Sequence, residues 1–358
     1  MLDSLNRGGA ETMMLDVCRN ARAGGIDLTF VATGGGDLED GFRHSGVEFI
    51  QLKRKLPVDL PVASQLRQII KERNIQVVHS HQPVEALHQC VATRGLATKR
   101  VMTLHGVYPG TKNRLALKLV LPQMHAKIVV SQTLRNELNL CEARDCWIVR
   151  NGVDPARLQA AGRKLRTELN VAEDELLLGM VGNFQPVAQK DQLTVCRALP
   201  TLLKTIPQAR FVFAGGGSTS APQLLGDCIN FCREAGIDDR VHFLGKRSDI
   251  PDVLNSLDVF VLSTLREGSP ISVIEAMLAG VPVVLSDIPA LREVTNAGQH
   301  AVLFRPGDAE DLAAKLSALL LDEHGRQNLS TNARHWAMEE FGIERHIAEL
   351  RKLYGSLI

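Results

Sequence analysis

The sequence contains no apolar run that approaches the roughly 20 residues needed to span a bilayer as a helix. Its first residues also lack the pattern of a secretory signal peptide, which has a basic start followed by an apolar stretch. These two absences argue against an integral membrane protein. They predict a protein that works in the cytoplasm.

Cysteine motifs for metal binding or disulfide chemistry are absent as well. The seven cysteines form an odd set without a Cys-x-x-Cys pair, and no Cys and His residues share the spacing of zinc ligands. Cys228 and Cys232 lie one helical turn apart, a spacing typical of two half-buried thiols. We therefore expect reduced thiols and no bound metal.

The overall composition indicates a globular protein of two domains. The chain has 358 residues, of which 45% are hydrophobic and 23% charged, and this balance excludes disordered and fibrous classes. A formal net charge of +1 argues against nucleic acid as a partner. Residues 1–150 carry 20 Lys and Arg against 14 Asp and Glu, while the remainder carries 21 against 26. The basic first part suits a phosphorylated acceptor or an anionic membrane surface, and uneven surface charge explains it equally well.

Short β-branched runs alternate with amphipathic stretches along the whole chain. This alternation is typical of parallel sheets that are covered by helices on both faces. The predicted strands are 27–32, 47–52, 75–79, 100–104, 127–130, 147–150, 176–181, 210–214, 241–243, 259–262, 282–285 and 301–304, and the predicted helices include 10–23, 60–72, 191–205 and 308–321.

A domain boundary is predicted at a turn-forming segment near residues 150–155. Asn151-Gly152 and Asp154-Pro155 are strong turn signals. The prediction is therefore an α/β protein with two Rossmann-like β/α/β domains, 1–152 and 153–340, that face one another across a cleft. Ligands of such sheets bind beyond the carboxyl ends of the strands, and the unusual residues of this sequence cluster there.

The first strand of the first domain is predicted to be truncated. Only Met1 and Leu2 precede a segment that has the character of the loop after a first strand. A central parallel strand normally has about five residues. Either the strand is rudimentary or the chain continues upstream, and we favour the second interpretation.

The segment from Leu262 to Met277 has the clearest chemical character. A strand ends, a short loop turns through Gly268, and Pro270 opens a helix whose unsatisfied N–H groups suit an anion such as a diphosphate. Glu275 lies in the second turn of this otherwise apolar helix. A buried carboxylate needs partners, which are either vicinal ribose hydroxyls or an Arg or backbone amide of the protein.

This segment resembles the E-x7-E motif of glycosyltransferase family 4, retaining enzymes with the GT-B fold. Glu267 and Glu275 stand at that spacing, and Ala279 to Val284 follow in the usual context. Other segments resemble family motifs in the same order along nearly the whole chain. They are Gly8 to Glu11, Val77 to His81, Thr103 to Gly106, Asn151 to Asp154, Gly182 to Phe184 with Lys190, Gly215 to Gly217, and Phe341 to Tyr354.

The resemblance implies a role for each part. The first domain is the acceptor side, the second binds the nucleotide-sugar donor, and the helix in 341–358 returns to the first domain. The implied catalytic residues are Glu267, Lys190 and His105, and His81 lies on the acceptor side. Without the resemblance, Lys190 is typical of a solvated lysine and His105 of a core histidine. The residues implied in donor binding are Gly8, Gly9, Asn183, Gly268, Ser269, Pro270, Ile271 and Glu275.

Two details of these motifs affect the site. Family members often carry an Arg where this chain has Asn183, and Asn offers only neutral hydrogen bonds to phosphate. Either other groups suffice for the diphosphate or donor affinity is reduced. Of the two histidines near the end of the third strand, we expect His79 and His81 to point to opposite faces, with His81 nearer the ligand.

The implied reaction needs no metal and no cofactor. No Asp-x-Asp motif occurs, and Lys190 with the amides around Gly268–Ile271 would stabilise the leaving diphosphate. Glu267 would orient sugar hydroxyls and His105 the sugar or the acceptor. The alternatives are a nucleotide-sugar epimerase of GT-B fold and a catalytically weak nucleotide-sugar-binding protein.

The implied acceptor is a glycan or a lipid-linked sugar of lipopolysaccharide or exopolysaccharide biosynthesis. Residues 110–128 mix basic and apolar side chains. They predict either a helix that packs on the core with exposed lysines, which we favour, or one that rests on a membrane interface. The second interpretation would add peripheral contact with the inner face of the plasma membrane.

Overall fold

The computed structural model describes residues 1–108, 110–141, 143–159, 162–185, 190–218 and 222–358. They divide into two compact units: unit 1 is Met1–Val153 with Phe341–Ile358, and unit 2 is Asp154–Glu340. Both units are built from parallel strands and helices, as the sequence predicts. Every strand predicted from the sequence is present, with ends displaced by no more than two residues.

Unit 1 contains two parallel sheets, one of two strands in the order β1-β2 and one of four in the order β3-β4-β5-β6. The strands are β1 (Thr29–Ala32), β2 (Glu48–Gln51), β3 (Val77–Ser80), β4 (Lys99–Leu104), β5 (Ala126–Val129) and β6 (Cys146–Ile148). The helices are α1 (Gly9–Asn20), α2 (Glu39–Arg43), α3 (Leu60–Glu72), α4 (Pro83–Ala92), α5 (Thr111–Val120), a 3-10 turn (Leu121–Gln123), α6 (Gln132–Glu137) and the C-terminal α16 (Ile343–Leu357).

A single residue, Leu2, lies where a first strand would join the two sheets. Leu2 forms a parallel bridge with Ala32 beside β1, and the amino group of Met1 donates to the carbonyl of His79 in β3 at 2.8 Å. A cavity of about 430 Å³ lies next to Met1, and residues of β1 and β3 line it. The described residues therefore contribute one bridging residue, Leu2, at this position.

The C-terminal helix α16 is part of unit 1. Leu350 and Leu353 pack in one apolar cluster with β4 and β5 side chains such as Val101 and Ile128. Unit 1 is made of two chain segments, Met1–Val153 and Phe341–Ile358. The second segment begins next to the end of the first, because Val153 forms a parallel bridge with Gly342. The two chain segments of unit 1 therefore meet through main-chain hydrogen bonds.

Unit 2 is one six-stranded parallel sheet in the order β12-β11-β10-β7-β8-β9. Its strands are β7 (Leu176–Val181), β8 (Ala209–Ala214), β9 (Val241–Gly245), β10 (Val259–Leu262), β11 (Val283–Ser286) and β12 (Val302–Phe304). Its helices are α7 (Ala156–Gln159), α8 (Lys164–Glu168), α9 (Gln192–Thr205), α10 (Gln223–Glu234), α11 (Ile250–Ser256), α12 (Ile271–Leu278), α13 (Pro289–Val294), α14 (Ala309–Leu321) and α15 (Glu323–Phe341), the last of which ends in unit 1.

Local sequence explains where these elements begin. All four residues of β10 and of β11 are buried, as expected for strands covered on both faces. Three long helices start after an aspartate whose side chain accepts a hydrogen bond from a first-turn N–H, which satisfies an otherwise unpaired donor. These aspartates are Asp59 before α3, Asp191 before α9 and Asp308 before α14.

All seven cysteines are free thiols, and Cys228 and Cys232 are fully buried rather than half-buried. Within the described residues, no helix combines the length and the hydrophobicity needed to cross a membrane.

Candidate functional site

In unit 2, the chain entering α9 lies against the loop that follows β10, at the carboxyl edge of the sheet. Lys190 forms an antiparallel bridge with Thr264, and the N–H of Asp191 donates to the carbonyl of Ser263 at 2.9 Å. β7 and β10 are neighbours in the sheet, so their following loops meet. This contact places Lys190, the predicted cation, beside Glu267, one of the two predicted carboxylates.

The Lys190 ammonium is held at this edge by an ion pair. Its Nζ lies 3.1 Å from Oε1 of Glu267, and the same oxygen accepts from Oγ1 of Thr264 at 3.4 Å. The side chains of Lys190 and Glu267 are 20% and 14% exposed. The stem of Lys190 crosses Gly182, where an added Cβ would lie 2.5 Å from both Cδ and Cε of the lysine. Gly182 therefore makes room for the lysine.

Glu275, in the second turn of α12, is buried and forms an ion pair with Arg157 of α7. Nη2 of Arg157 donates to Oε1 of Glu275. Of the two partners left open by the sequence, the arginine is therefore present in the structure. Among the described residues, Oε2 of Glu275 accepts no hydrogen bond, and its contact with a ligand stays a prediction.

The helix that carries Glu275 starts at the same edge. Gly268 and Ser269 follow Glu267 directly, Pro270 is the extended residue before α12, and Ile271 is its first residue. The Pro270 side chain provides no cap for the first turn, and a helix start carries partial positive charge. The loop thus joins a carboxylate, a cation and a helix N-terminus, a combination that suits a sugar attached to a diphosphate.

The Asn183 side chain forms a hydrogen bond with the nearby backbone. Its Oδ1 accepts from the N–H of Gly216 at 3.0 Å, and Phe184 N–H donates to the Gly216 carbonyl at 2.9 Å. A Cβ on Gly215 would lie 2.1 Å from the carbonyl oxygen of Gly182, so the glycine turn and the loop after β7 touch through their main chains. Asn183 therefore fixes the glycine turn, and its direct contact with donor stays a prediction.

In unit 1, the two predicted site histidines, His81 and His105, form one stack with His79. Nδ1 of His81 lies 2.9 Å from Nε2 of His105, and the rings of His79 and His81 stack with centroids 4.4 Å apart. The expectation that His79 and His81 point to opposite faces is wrong, because side chains two positions apart on a strand share a face. His79 also contacts Tyr354 of α16 at 2.6 Å and Thr103 at 2.7 Å.

All three imidazoles are neutral at physiological pH. Burial lowers the pKa of His105 to about 4. Burial also holds the pKa of His79 and of His81 well below the usual value, and the neighbouring histidines add to this effect. His81 and His105 can therefore form one hydrogen bond with each other. The other nitrogen of each ring then remains a neutral donor or acceptor.

Gly8 and Gly9 lie at the start of α1 in unit 1. Gly8 precedes the helix in an extended conformation, and a Cβ there would lie 2.4 Å from Oε2 of Glu11. The bare Cα of Gly8 is thus needed for the position of Glu11. A contact of Gly8 and Gly9 with donor phosphates stays a prediction.

Sequence reasoning missed two partners of the site residues. Arg157 lies 118 positions before Glu275, and nothing in its local sequence marks it as the partner of that carboxylate. Tyr354 was recognised only as part of a helix motif, without its contact to His79. In the described part of the chain, no group of His, Cys, Asp and Glu residues is arranged to hold a metal ion.

Two family models match the chain in succession. The model described as Glycosyltransferase Family 4 matches residues 7–157, and the model described as Glycosyl transferases group 1 matches residues 162–336. Together they account for most of both units.

Individual relatives agree with these models. The chain is 25% identical over 315 residues to N-acetyl-alpha-D-glucosaminyl L-malate synthase of Bacillus anthracis, covering 84% of this chain and 80% of that one. It is 25% identical over 339 residues to UDP-Gal:alpha-D-GlcNAc-diphosphoundecaprenol alpha-1,3-galactosyltransferase of Escherichia coli, covering 90% and 86%. Among solved structures, Anabaena Alr3699/HepE in complex with UDP and glucose has a TM-score of 0.84 at 20% identity, with 99% of each chain covered.

Proposed function

Because the chain belongs to the glycosyltransferases, with a family 4 domain followed by a group 1 domain, we propose that it transfers a sugar with retention of anomeric configuration. The donor is a nucleotide sugar, and the acceptor is a glycan or a lipid-linked sugar of bacterial lipopolysaccharide or exopolysaccharide biosynthesis. Unit 1 is the acceptor side and unit 2 the donor side.

The observation that carries this proposal is the Lys190–Glu267 pair beside the start of α12. A nucleotide sugar has hydroxyls that need acceptors and a diphosphate that needs positive charge. Glu267 supplies an acceptor for the sugar hydroxyls. Lys190 and the N-terminal amides of α12 supply positive charge for the diphosphate. Oε2 of Glu275 then accepts from the ribose hydroxyls.

The names of relatives support the substrate classes. The E. coli relative is named for a UDP-galactose donor and an undecaprenol-diphosphate-linked acceptor, and the Anabaena structure contains UDP and glucose. A UDP-sugar and a lipid-linked acceptor are therefore the first substrates to test. The Bacillus anthracis relative is named as a synthase and the E. coli relative as a transferase, which favours transfer over an epimerase.

In the proposed mechanism, the acceptor oxygen attacks the anomeric carbon on the face that the diphosphate leaves. The bond between the anomeric carbon and the phosphate oxygen breaks, the bond to the acceptor oxygen forms, and the leaving phosphate takes the acceptor proton. Lys190 stabilises the developing negative charge without a metal ion. His105, held by His81, is neutral and orients the substrate rather than accepting its proton.

The decisive test is a panel of UDP-, GDP- and ADP-sugars with an undecaprenol-diphosphate-linked GlcNAc acceptor, with nucleotide release and acceptor product both measured. Transfer requires both signals, and they must depend on acceptor. Nucleotide release with a free or epimerised sugar and no acceptor product would instead support the epimerase. Nucleotide-sugar binding without turnover would support a binding protein.

We also propose that the protein is cytoplasmic and binds peripherally to the inner face of the plasma membrane. Helix α5 supports this part of the proposal. Only Ala116 and Val120 of this helix are buried. Leu115 and Leu119 are 59% and 54% exposed, and Lys112, Arg114 and Lys118 are in the same helix. The helix thus packs on its unit as favoured from the sequence, but it also presents leucines that suit a lipid interface.

This part is tested with anionic phosphatidylglycerol vesicles in a sedimentation assay. The double variant Leu115→Ser/Leu119→Ser should lower the vesicle-bound fraction about tenfold, since two apolar side chains no longer enter the interface. Leu321→Ser, which alters a leucine of unit 2 that is 71% exposed, is the control and should bind as the unaltered protein does. Equal binding by all three proteins would remove α5 from the proposal.

A further inference from the structure

The ion pair between Arg157 and Glu275 lies in a largely apolar part of unit 2. The side chains are 15% and 7% exposed, so both charges are largely removed from water. The neighbours of Glu275 along α12, Val273, Ile274, Ala276 and Met277, are fully buried and apolar. In such surroundings a buried carboxylate needs a partner, and that partner also fixes its position.

Arg157 holds only one of the two carboxylate oxygens. Its Nη2 contacts Oε1, whereas within the described residues Oε2 accepts no hydrogen bond. A guanidinium is planar and directional, so it fixes the rotation of the carboxylate that it binds, which a lysine ammonium does less well. The free oxygen therefore has a defined direction.

We propose that Arg157 is a positioning residue for recognition of the donor's ribose, acting through Glu275. This inference rests on the proposed function, in which Glu275 accepts the ribose hydroxyls. With the guanidinium present, Oε2 is oriented as an acceptor for the 2′- and 3′-hydroxyls. Without it, the carboxylate is free to rotate, and the hydroxyls lose an acceptor of fixed direction. Lys190 is not part of this pair, so binding of the diphosphate is retained.

The readout is the preference for ribose over deoxyribose, which a purely structural ion pair would not change. Calorimetry gives the Kd of UDP and of 2′-deoxy-UDP, with GDP and 2′-deoxy-GDP run in parallel. The unaltered protein should prefer the ribonucleotide by about tenfold, the usual effect of one hydrogen bond to a charged group. In Arg157→Met the ratio should fall to about one, with the affinity for the 2′-deoxy nucleotide little changed.

Arg210→Met is the matched control. Arg210 forms an ion pair with Glu175 in the same unit, with side chains 22% and 17% exposed, but it lies at the amino end of β8, away from the site edge. This variant should keep the tenfold preference. Arg157→Lys retains the charge and provides a second test in case Arg157→Met does not fold. Its preference for the ribonucleotide over the 2′-deoxyribonucleotide should lie between those of the unaltered protein and Arg157→Met.

Three outcomes would overturn the inference, and they can be told apart. If Arg157→Met and Arg157→Lys keep the full preference, the ion pair is structural only. If the unaltered protein binds ribo- and deoxyribonucleotides equally but still transfers sugar, Glu275 does not bind the ribose hydroxyls. The proposed transfer activity is then still supported. If it binds no nucleoside diphosphate and transfers no sugar, the proposed function itself fails.

Discussion

Nζ of Lys190 lies 3.1 Å from Oε1 of Glu267, so the proposed catalytic cation and the proposed sugar ligand are paired with one another. A diphosphate that binds at this edge competes with Glu267 for the ammonium. As it does so, the carboxylate becomes available to the sugar hydroxyls. The two groups therefore act together, and each should matter for turnover more than for folding.

Replacement of Lys190 should abolish most turnover. In Lys190→Ala the leaving diphosphate keeps only the helix amides, so we expect kcat to fall by about 100-fold or more, as for loss of one preorganised charge-stabilising group. Steady-state nucleotide release with a saturating donor measures this. Lys204→Ala, at an exposed position of α9, should retain the original rate. A Lys190 variant of near-normal activity would remove this residue from the site.

Gly182→Ala should damage the site without any change of charge. The new methyl group would lie 2.5 Å from Cδ and Cε of Lys190, and the flexible lysine chain moves more readily than the backbone. We expect kcat to fall about tenfold, because a misplaced charge stabilises the leaving group poorly. The free energy of unfolding should change by less than about 1 kcal/mol, the range of ordinary substitutions.

The control for this change is Gly226→Ala in α10, where an added Cβ meets nothing within 4 Å. That variant should be as active as the unaltered protein and slightly more stable, since alanine favours helix. A Gly182→Ala enzyme with full activity would show that Lys190 acts from more than one position.

Asn183 should contribute to stability through the glycine turn. Asn183→Ala removes the acceptor for the Gly216 N–H, and we expect the free energy of unfolding in urea to drop by about 1 kcal/mol. Asn183→Asp retains an acceptor oxygen and should be close to the original stability. Its added negative charge should raise the KM for donor. A stable Asn183→Ala protein would contradict the assigned role of the side chain.

The buried histidines should make unit 1 sensitive to acid. In the folded state the pKa of His105 is lowered to about 4, whereas an unfolded histidine titrates near pH 6.5. Between these values the unfolded state binds more protons, so stability falls as the pH drops from about 6.5 towards 4. One such group contributes a slope of at most about 1.4 kcal/mol per pH unit.

His105→Asn should reduce this slope by roughly that amount in urea unfolding measured at a series of pH values from 4 to 7. His324→Asn, at an exposed position of α15, is the control and should leave the slope as it was. The same reasoning predicts that turnover of the unaltered protein shows no inflection near pH 6.5 from these imidazoles. An inflection there that disappears in His105→Asn would mean that this ring titrates in the active enzyme.

The fold was predictable from the sequence because its signal is local and repeated. Buried strands such as Val259–Leu262 are continuous apolar runs, and turn residues separate them from helices. The places of Glu267 and Glu275 in the fold were predictable for a similar reason, since both residues lie on one strand–loop–helix unit. Spacing within such a unit is enough to place both carboxylates.

What could not be predicted depends on contacts between distant segments. Arg157 binds Glu275, which lies 118 positions later in the chain. The sequence around an arginine in a short helix does not indicate which carboxylate it binds. Asn183 looks like a weakened phosphate ligand until the structure shows that its oxygen binds Gly216. The burial of Cys228 and Cys232 likewise depends on tertiary packing, which the helical spacing of the two thiols does not determine.

The pairing of Val153 with Gly342 has a consequence for how such proteins diversify. The chain leaves unit 1 and comes back to it at neighbouring positions, held by hydrogen bonds from Val153 N–H to the Phe341 carbonyl and from Ile343 N–H to the Val153 carbonyl. Everything in between is topologically an insertion, and insertions whose ends adjoin are readily exchanged. Recombination at these two positions would exchange unit 2 as a whole and leave unit 1 unchanged, and under the proposed roles this would change the donor while the acceptor side stays the same.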